Sequence, residues 1–280
     1  MKKLLCFCAL AVFAACSHES SDVVTSDVEM GEYGKLSVLI EHEQLETKAL
    51  TGYTTALDDE KKVYDISVFV FDKSTGVLNA YRSLDSLSDE CEFDVTVGDK
   101  IIYAVVNGPE VGGVTNINQL KQAVDNLSGS SIGTNGLVMV GSQECKVEAG
   151  KLLEPVVVVK RLVARVVLQK VTNSVAPQYG SITVDCVYLG NANTSQTISG
   201  VVSGMVNPDG YSDSSKTKPI GKDGVTGSCP AYLYRAAGTS VANGANNTTK
   251  YHMYCQPSTS GTVTCLYILA TIGGGKYYYR

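Results

Sequence analysis

The stretch Val63-Tyr64-Asp65-Ile66-Ser67-Val68-Phe69-Val70-Phe71 decides the fold class. In an extended chain Ile66, Val68 and Val70 fall on one face and Phe69 and Phe71 on the other, so both faces are apolar. A strand wetted on one side alternates apolar with polar residues. A strand apolar on both sides belongs inside a packed β-structure. Asp72-Lys73-Ser74-Thr75-Gly76 supplies turn residues, and Val77 to Tyr81 reads as the returning arm of a hairpin.

The same period extends outward. Upstream, Gly34 to Ile40 alternates, with Leu36, Val38 and Ile40 on one face, and the polar run Glu41 to Lys48 follows. Downstream, Cys91 to Val97 alternates, Gly98-Asp99 reads as a turn, and Ile101 to Val106 is a second two-sided strand stopped by Asn107-Gly108-Pro109. Ile117, Leu120, Val124 and Leu127 share a helical stripe after Asn116 as N-cap, which predicts a helix over 117–127. Leu137 to Val140, Cys145 to Val147 and Val156 to Val159 continue the strand pattern, and Leu162 to Val171 leads into a second region. There Ile182 to Leu189, Tyr232 to Tyr234, Tyr251 to Cys255 and Thr262 to Ile272 read as strands, separated by long loops at 190–230 and 236–249. Gly273-Gly274-Gly275 reads as a hairpin turn into Tyr277-Tyr278-Tyr279. The expected fold is mainly β: two β-sandwich domains, the first with a short helix, meeting near 160–168.

Composition narrows the function. The chain has 280 residues, 44% of them apolar, and a formal net charge of −5. It offers no broad basic field, so nucleic acid is not an expected partner. Its three histidines are His18, His42 and His252, a thin inventory for acid–base or metal chemistry. His252-Met-Tyr-Cys255 has H-x-x-C spacing but no second ligand cluster, and reads as strand residues. Asp58-Asp59-Glu60 reads as a solvated face. No catalytic residue, metal site or cofactor is expected.

The first residues form an address. Lys2 and Lys3 precede a twelve-residue apolar run, Leu4 to Ala15, too short to span a bilayer that needs about 20 residues. Phe13-Ala14-Ala15-Cys16 resembles a bacterial lipobox with Phe13 in place of the usual aliphatic residue, which makes Cys16 the acylated new N-terminus. A plain secretory signal is the other reading. Residues 17–33 read as a tether. Export leaves six cysteines in an oxidising setting: Cys91, Cys145, Cys186, Cys229, Cys255 and Cys265. Spacing does not choose among their pairings.

Taken in order, several segments resemble the Bacteroidales fimbrillin family, the type V pilins and their lipoprotein relatives. They are the lipobox, strand 34–40 leading to Thr47-Lys48-Ala49, Tyr64 to Asp72 with Thr75-Gly76-Val77-Leu78, and Ile102 to Pro109. The helix at 117–127, Leu137-Val138-Met139-Val140-Gly141, and Val156 to Leu168 complete the match, which covers residues 16–170. The C-terminal half matches loosely. The resemblance implies transthyretin-like sandwiches and a division into signal 1–15, lipidated tether and removable strand 16–48, an N-terminal domain 49–165 and a C-terminal domain 166–280.

It also implies a mechanism. A lipidated precursor, held in the outer membrane through Cys16, is cut by a trypsin-like protease between Lys48 and Ala49. Leu36, Val38 and Ile40 are withdrawn as plugs, and a strand from another fimbrial subunit replaces them in a head-to-tail polymer. The chain would then be a structural or accessory subunit of a cell-surface fimbria contributing to adhesion. Family members usually carry Arg before the cut, and Lys48 leaves open a subunit that keeps its first strand. The other reading is a non-polymerising surface lipoprotein, an anchor or tip adhesin that binds a glycan or protein through the C-terminal loops. Fimbrillins usually continue past an aromatic strand such as Tyr277 to Arg280 to a donor strand, so the resemblance implies either a truncated product or a subunit that accepts a strand without donating one in the usual way.

Overall fold

A computed structural model describes residues 32–43, 57–127, 135–206, 232–258 and 263–279, all within a unit spanning 32–280. In chain order the first half holds β1 (Tyr33–Ser37), β2 (Leu39–His42), β3 (Ile66–Asp72), β4 (Leu78–Leu84), β5 (Glu92–Thr96) and β6 (Gly98–Val106). Then come α1 (Ile117–Gln122), β7 (Val124–Asn126), β8 (Met139–Val147), β9 (Leu152–Leu153) and β10 (Val156–Arg161). The remainder holds β11 (Ala164–Leu168), β12 (Val171–Thr172), β13 (Ile182–Gly190), β14 (Ser195–Thr197) and β15 (Val202–Ser203). It ends with β16 (Tyr234–Val241), β17 (Asn246–Asn247), β18 (Tyr251–Cys255), β19 (Cys265–Ile272) and β20 (Gly275–Tyr279). The fold is mainly β.

The two-sided stretch is β3, held between β4 and β6 in a sheet of order β2-β10-β8-β6-β3-β4. Its faces serve two cores. Ile66, Val68 and Val70 pack with Leu36, Val38, Ile40, Phe93 and Val95, the inward residues of β1, β2 and β5. Phe69 and Phe71 pack with Ile117 and Leu120 of α1 and with Ile198. The sheet is covered on both sides, which is why a continuous apolar run is stable there.

Polar residues end these strands with defined partners. Asp72 Oδ1 accepts from the backbone N–H groups of Ser74 (3.1 Å) and Thr75 (3.0 Å), closing the β3–β4 turn. Its Oδ2 accepts from Lys100 Nζ (3.1 Å), a fully buried ammonium that also donates to Thr96 Oγ1 (2.9 Å). Asn107 follows β6 with φ 52°, and its side chain staples three segments. Its Oδ1 accepts from Tyr64 N (2.8 Å), while Nδ2 donates to the carbonyls of Lys62 (2.8 Å) and Leu137 (3.2 Å).

Four expectations need correction. The helix begins at Asn116 with a capping box to Gln119, but ends at Gln122. Val124–Asn126 turns extended and pairs antiparallel with Ser195–Thr197, and Leu127 packs in a different core from Ile117 and Leu120. The ladder to β14 overrides the helical spacing. Gly98 is not a free turn: it opens β6 at φ 111°, paired with Val147. The stretch 236–249 is no loop, since β16 runs to Val241 along β13 and Asn246–Asn247 pairs with β12. The strand expected over 34–40 is two strands broken at Val38.

Beyond β10, the central strand is β13 in a sheet of order β16-β13-β19-β20. Val184, Val187 and Leu189 pack against Met253, Tyr251 and Tyr254 of β18. The triglycine turn forms as expected, with Gly273 and Gly274 at φ 55° and 82° joining β19 to β20. Among the described residues Cys91, Cys145, Cys186 and Cys255 are free thiols, and no helix there is long and apolar enough to cross a membrane.

Candidate functional site: the slot of the first strand

β1 and β2 thread between two sheets. β1 is the middle of a sheet of order β5-β1-β9, antiparallel to β5 and parallel to β9. β2 is the edge of the large sheet, parallel to β10. The switch at Val38 has a cause in the partner: Glu154-Pro155 separates β9 from β10, and a proline has no N–H to continue a ladder. Val38 N donates instead to the Cys91 carbonyl (2.8 Å), and Leu39 N to the Pro155 carbonyl (3.0 Å).

The inward row is Leu36 (0% exposed), Val38 (5%) and Ile40 (5%). Leu36 stands opposite Phe93 and Leu153, and Ile40 opposite Val157. Val95, Val147 and Val159 complete this apolar lining. Burying each such side chain is worth about 1.5–3 kcal/mol, so the three contribute roughly 5–9 kcal/mol as an upper sum. Whole domains are stable by about 5–15 kcal/mol, so the slot is not expected to stand empty in water. Lys35, Leu39 and Glu41 face outward. Cys16, Lys48 and Ala49 lie outside the described residues.

The far end of the slot meets a buried charge. Glu43 N donates to the Val159 carbonyl (2.8 Å) and its carboxylate pairs with Lys160 (3.1 Å). After Leu57 the chain enters a short 3-10 turn, Asp58–Lys61, which corrects the reading of Asp58-Asp59-Glu60 as a solvated face. Asp58 and Asp59 are exposed, but Glu60 is only 4% exposed. Its carboxylate accepts from Leu57 N (2.8 Å), Arg165 Nη1 (2.8 and 3.0 Å) and Tyr254 Oη (2.7 Å). Its carbonyl accepts from Arg161 Nη2 (2.9 Å). Burial, and after it the bond to Glu60, pushes the Tyr254 phenol well above its ordinary range. A cleft of about 250 Å³ opens here, lined by Glu43, Glu60, Met139, Arg161, Arg165 and Tyr254. Sequence reading missed this cluster because Arg165 and Tyr254 lie 105 and 194 positions from Glu60.

His252 lies on β18 opposite Val167, and burial, then the nearby Arg165, holds its imidazole below the usual range. His252 and Cys255 are three apart on one strand, so they face opposite sides and cannot share a metal. No group of three metal-binding side chains occurs among the described residues.

Residues 35–151 match the family described as the major fimbrial subunit protein (FimA). Over this region the chain is similar to the fimbrillin family. Solved structures share its fold. A candidate cell adhesion protein from Bacteroides eggerthii superposes with TM-score 0.57 at 18% identity, covering 89% of this chain and 78% of that one. Another from Parabacteroides distasonis gives 0.56 at 16%, covering 88% and 78%. A fimbrilin (fimA) from Porphyromonas gingivalis gives 0.53 at 15%, covering 88% and 80%. No curated protein is a significant match.

Proposed function

We propose that this chain is an adhesion-related subunit of a cell-surface fimbria, exported as a lipoprotein precursor acylated on Cys16 and assembled by strand replacement. The observation that carries the reading is the deep row Leu36, Val38 and Ile40, borne on a segment that precedes the rest of the core in sequence. A cut between Lys48 and Ala49, after β2 and before β3 in sequence, severs that segment from the body. Its loss leaves unpaired backbone on β5, β9 and β10 beside an apolar groove, a state that recruits a strand from a neighbour. Head-to-tail contacts of this kind do not close and propagate as a fibre. The division at 49–165 and 166–280 into two sandwich domains belongs to the same reading. So do its partners: other subunits, the outer membrane before processing, and a trypsin-like maturation protease.

Mass spectrometry of the protein released from cells tests the reading. A mature N-terminus at Ala49, in species that resist SDS as a ladder, supports it. An intact acylated Cys16 in every molecule, all of them monomeric, contradicts it.

A further inference from the structure

The two ends of the slot are unlike. At the start of β1, a Cβ added to Gly34 would lie 2.5 Å from the Glu148 carbonyl oxygen and 2.5 Å from Val147 Cγ1. Gly34 is itself buried, opposite Val95. The first obstacle is backbone and cannot swing aside. Two, four and six residues later come the buried positions held by Leu36, Val38 and Ile40. Of the alternate positions, Lys35, Leu39 and Glu41 are exposed and Ser37 is half-buried. Read from its first end, the inward row is therefore no side chain, then three branched aliphatics, at every second position.

The geometry points to a slot that reads both sequence and direction. Its occupant carries glycine followed at the second, fourth and sixth positions by Leu, Ile or Val, and runs parallel to β10 as β2 does. This inference rests on the proposed function. A strand entering in the opposite direction places an aliphatic plug against the Glu148 carbonyl, and it exchanges the slanted parallel ladder for an antiparallel one. In these 280 residues a glycine so followed occurs once, at Gly34 itself. The cut that opens the slot removes that segment, so a neighbouring subunit supplies the replacement.

The test uses the full chain nicked after Lys48 and four labelled synthetic peptides, with uptake followed by fluorescence anisotropy. The peptides are the native 32–43 sequence, its L39E and G34L versions, and the same residues in reverse order. The native and L39E peptides are expected to enter comparably, with the G34L and reversed peptides weaker by roughly ten-fold or more. Entry of the G34L or reversed peptide within about two-fold of the native one overturns the inference and leaves strand replacement standing. Uptake of no peptide, the native included, contradicts strand replacement itself. Independently, in the intact chain Gly34→Leu is expected to lower Tm while Leu39→Glu leaves it unchanged. Equal Tm values overturn the glycine rule whatever the peptides do.

Discussion

Arg165 Nη1 lies 2.8 Å from Glu60 Oε2, so a carboxylate in the turn before β3 is neutralised by the strand that follows the N-terminal ladders. The same carboxylate takes the Tyr254 hydroxyl at 2.7 Å, from a strand near the end of the chain. This cluster ties the first third of the sequence to the last, and the ladder between β7 and β14 joins its middle to the C-terminal part.

Removing one partner of such a pair strands the other. Glu60→Ala is expected to cost about 3–5 kcal/mol by urea unfolding, because Arg165 and the Tyr254 hydroxyl lose a buried acceptor. Tyr254→Phe removes one donor from a carboxylate that keeps Arg165, and is expected to cost about 1 kcal/mol. Equal costs would show that Arg165 does not depend on Glu60.

The plug row and its outward neighbours should separate cleanly. Leu36→Ala is expected to destabilise the chain by about 2–5 kcal/mol through lost burial and a residual cavity. Leu39→Ser, on the exposed side of the same segment, should stay within about 0.5 kcal/mol. Comparable losses would place Leu39 in the core.

Asp72 gives a pH signature. Hydrogen bonds from Ser74 and Thr75, with Lys100 beside them, hold its carboxyl far below the usual carboxylate range. A depressed folded pKa stabilises the protein above the unfolded value, and that contribution is lost as pH falls below it. Wild-type stability should therefore drop from pH 5 to pH 2. Asp72→Asn should be less stable at pH 7 and show a shallower acid drop. Parallel curves would mean that Asp72 contributes nothing to acid sensitivity.

Much of the fold was legible because its signals are local. The apolar residues of β3, the turn at Asp72, the stop at Asn107 and the triglycine hairpin follow from period, side-chain capping and glycine conformation. The row Leu36, Val38, Ile40 was legible for the same reason, and its burial follows the alternation. What escaped reading depends on distant partners. Val124 carries helical spacing with Ile117 and Leu120, yet β14 claims it from 70 residues away. Glu60 looks like its solvated neighbours Asp58 and Asp59 until Arg165 and Tyr254 arrive. The break at Val38 follows from Pro155, more than a hundred positions downstream. The Gly34 constraint comes from the Glu148 carbonyl, an atom with no sequence signal at all.

Locking the strand in place tests the central claim most directly. Lys35 and Asp94 are exposed register partners across β1 and β5, at a separation that suits a disulfide. The double variant Lys35→Cys, Asp94→Cys should reach the cell surface normally. While oxidised it should form no SDS-resistant ladder, and reduction should restore assembly. Undiminished ladders from the oxidised protein would mean that β1 never leaves its slot during assembly, and would contradict the account.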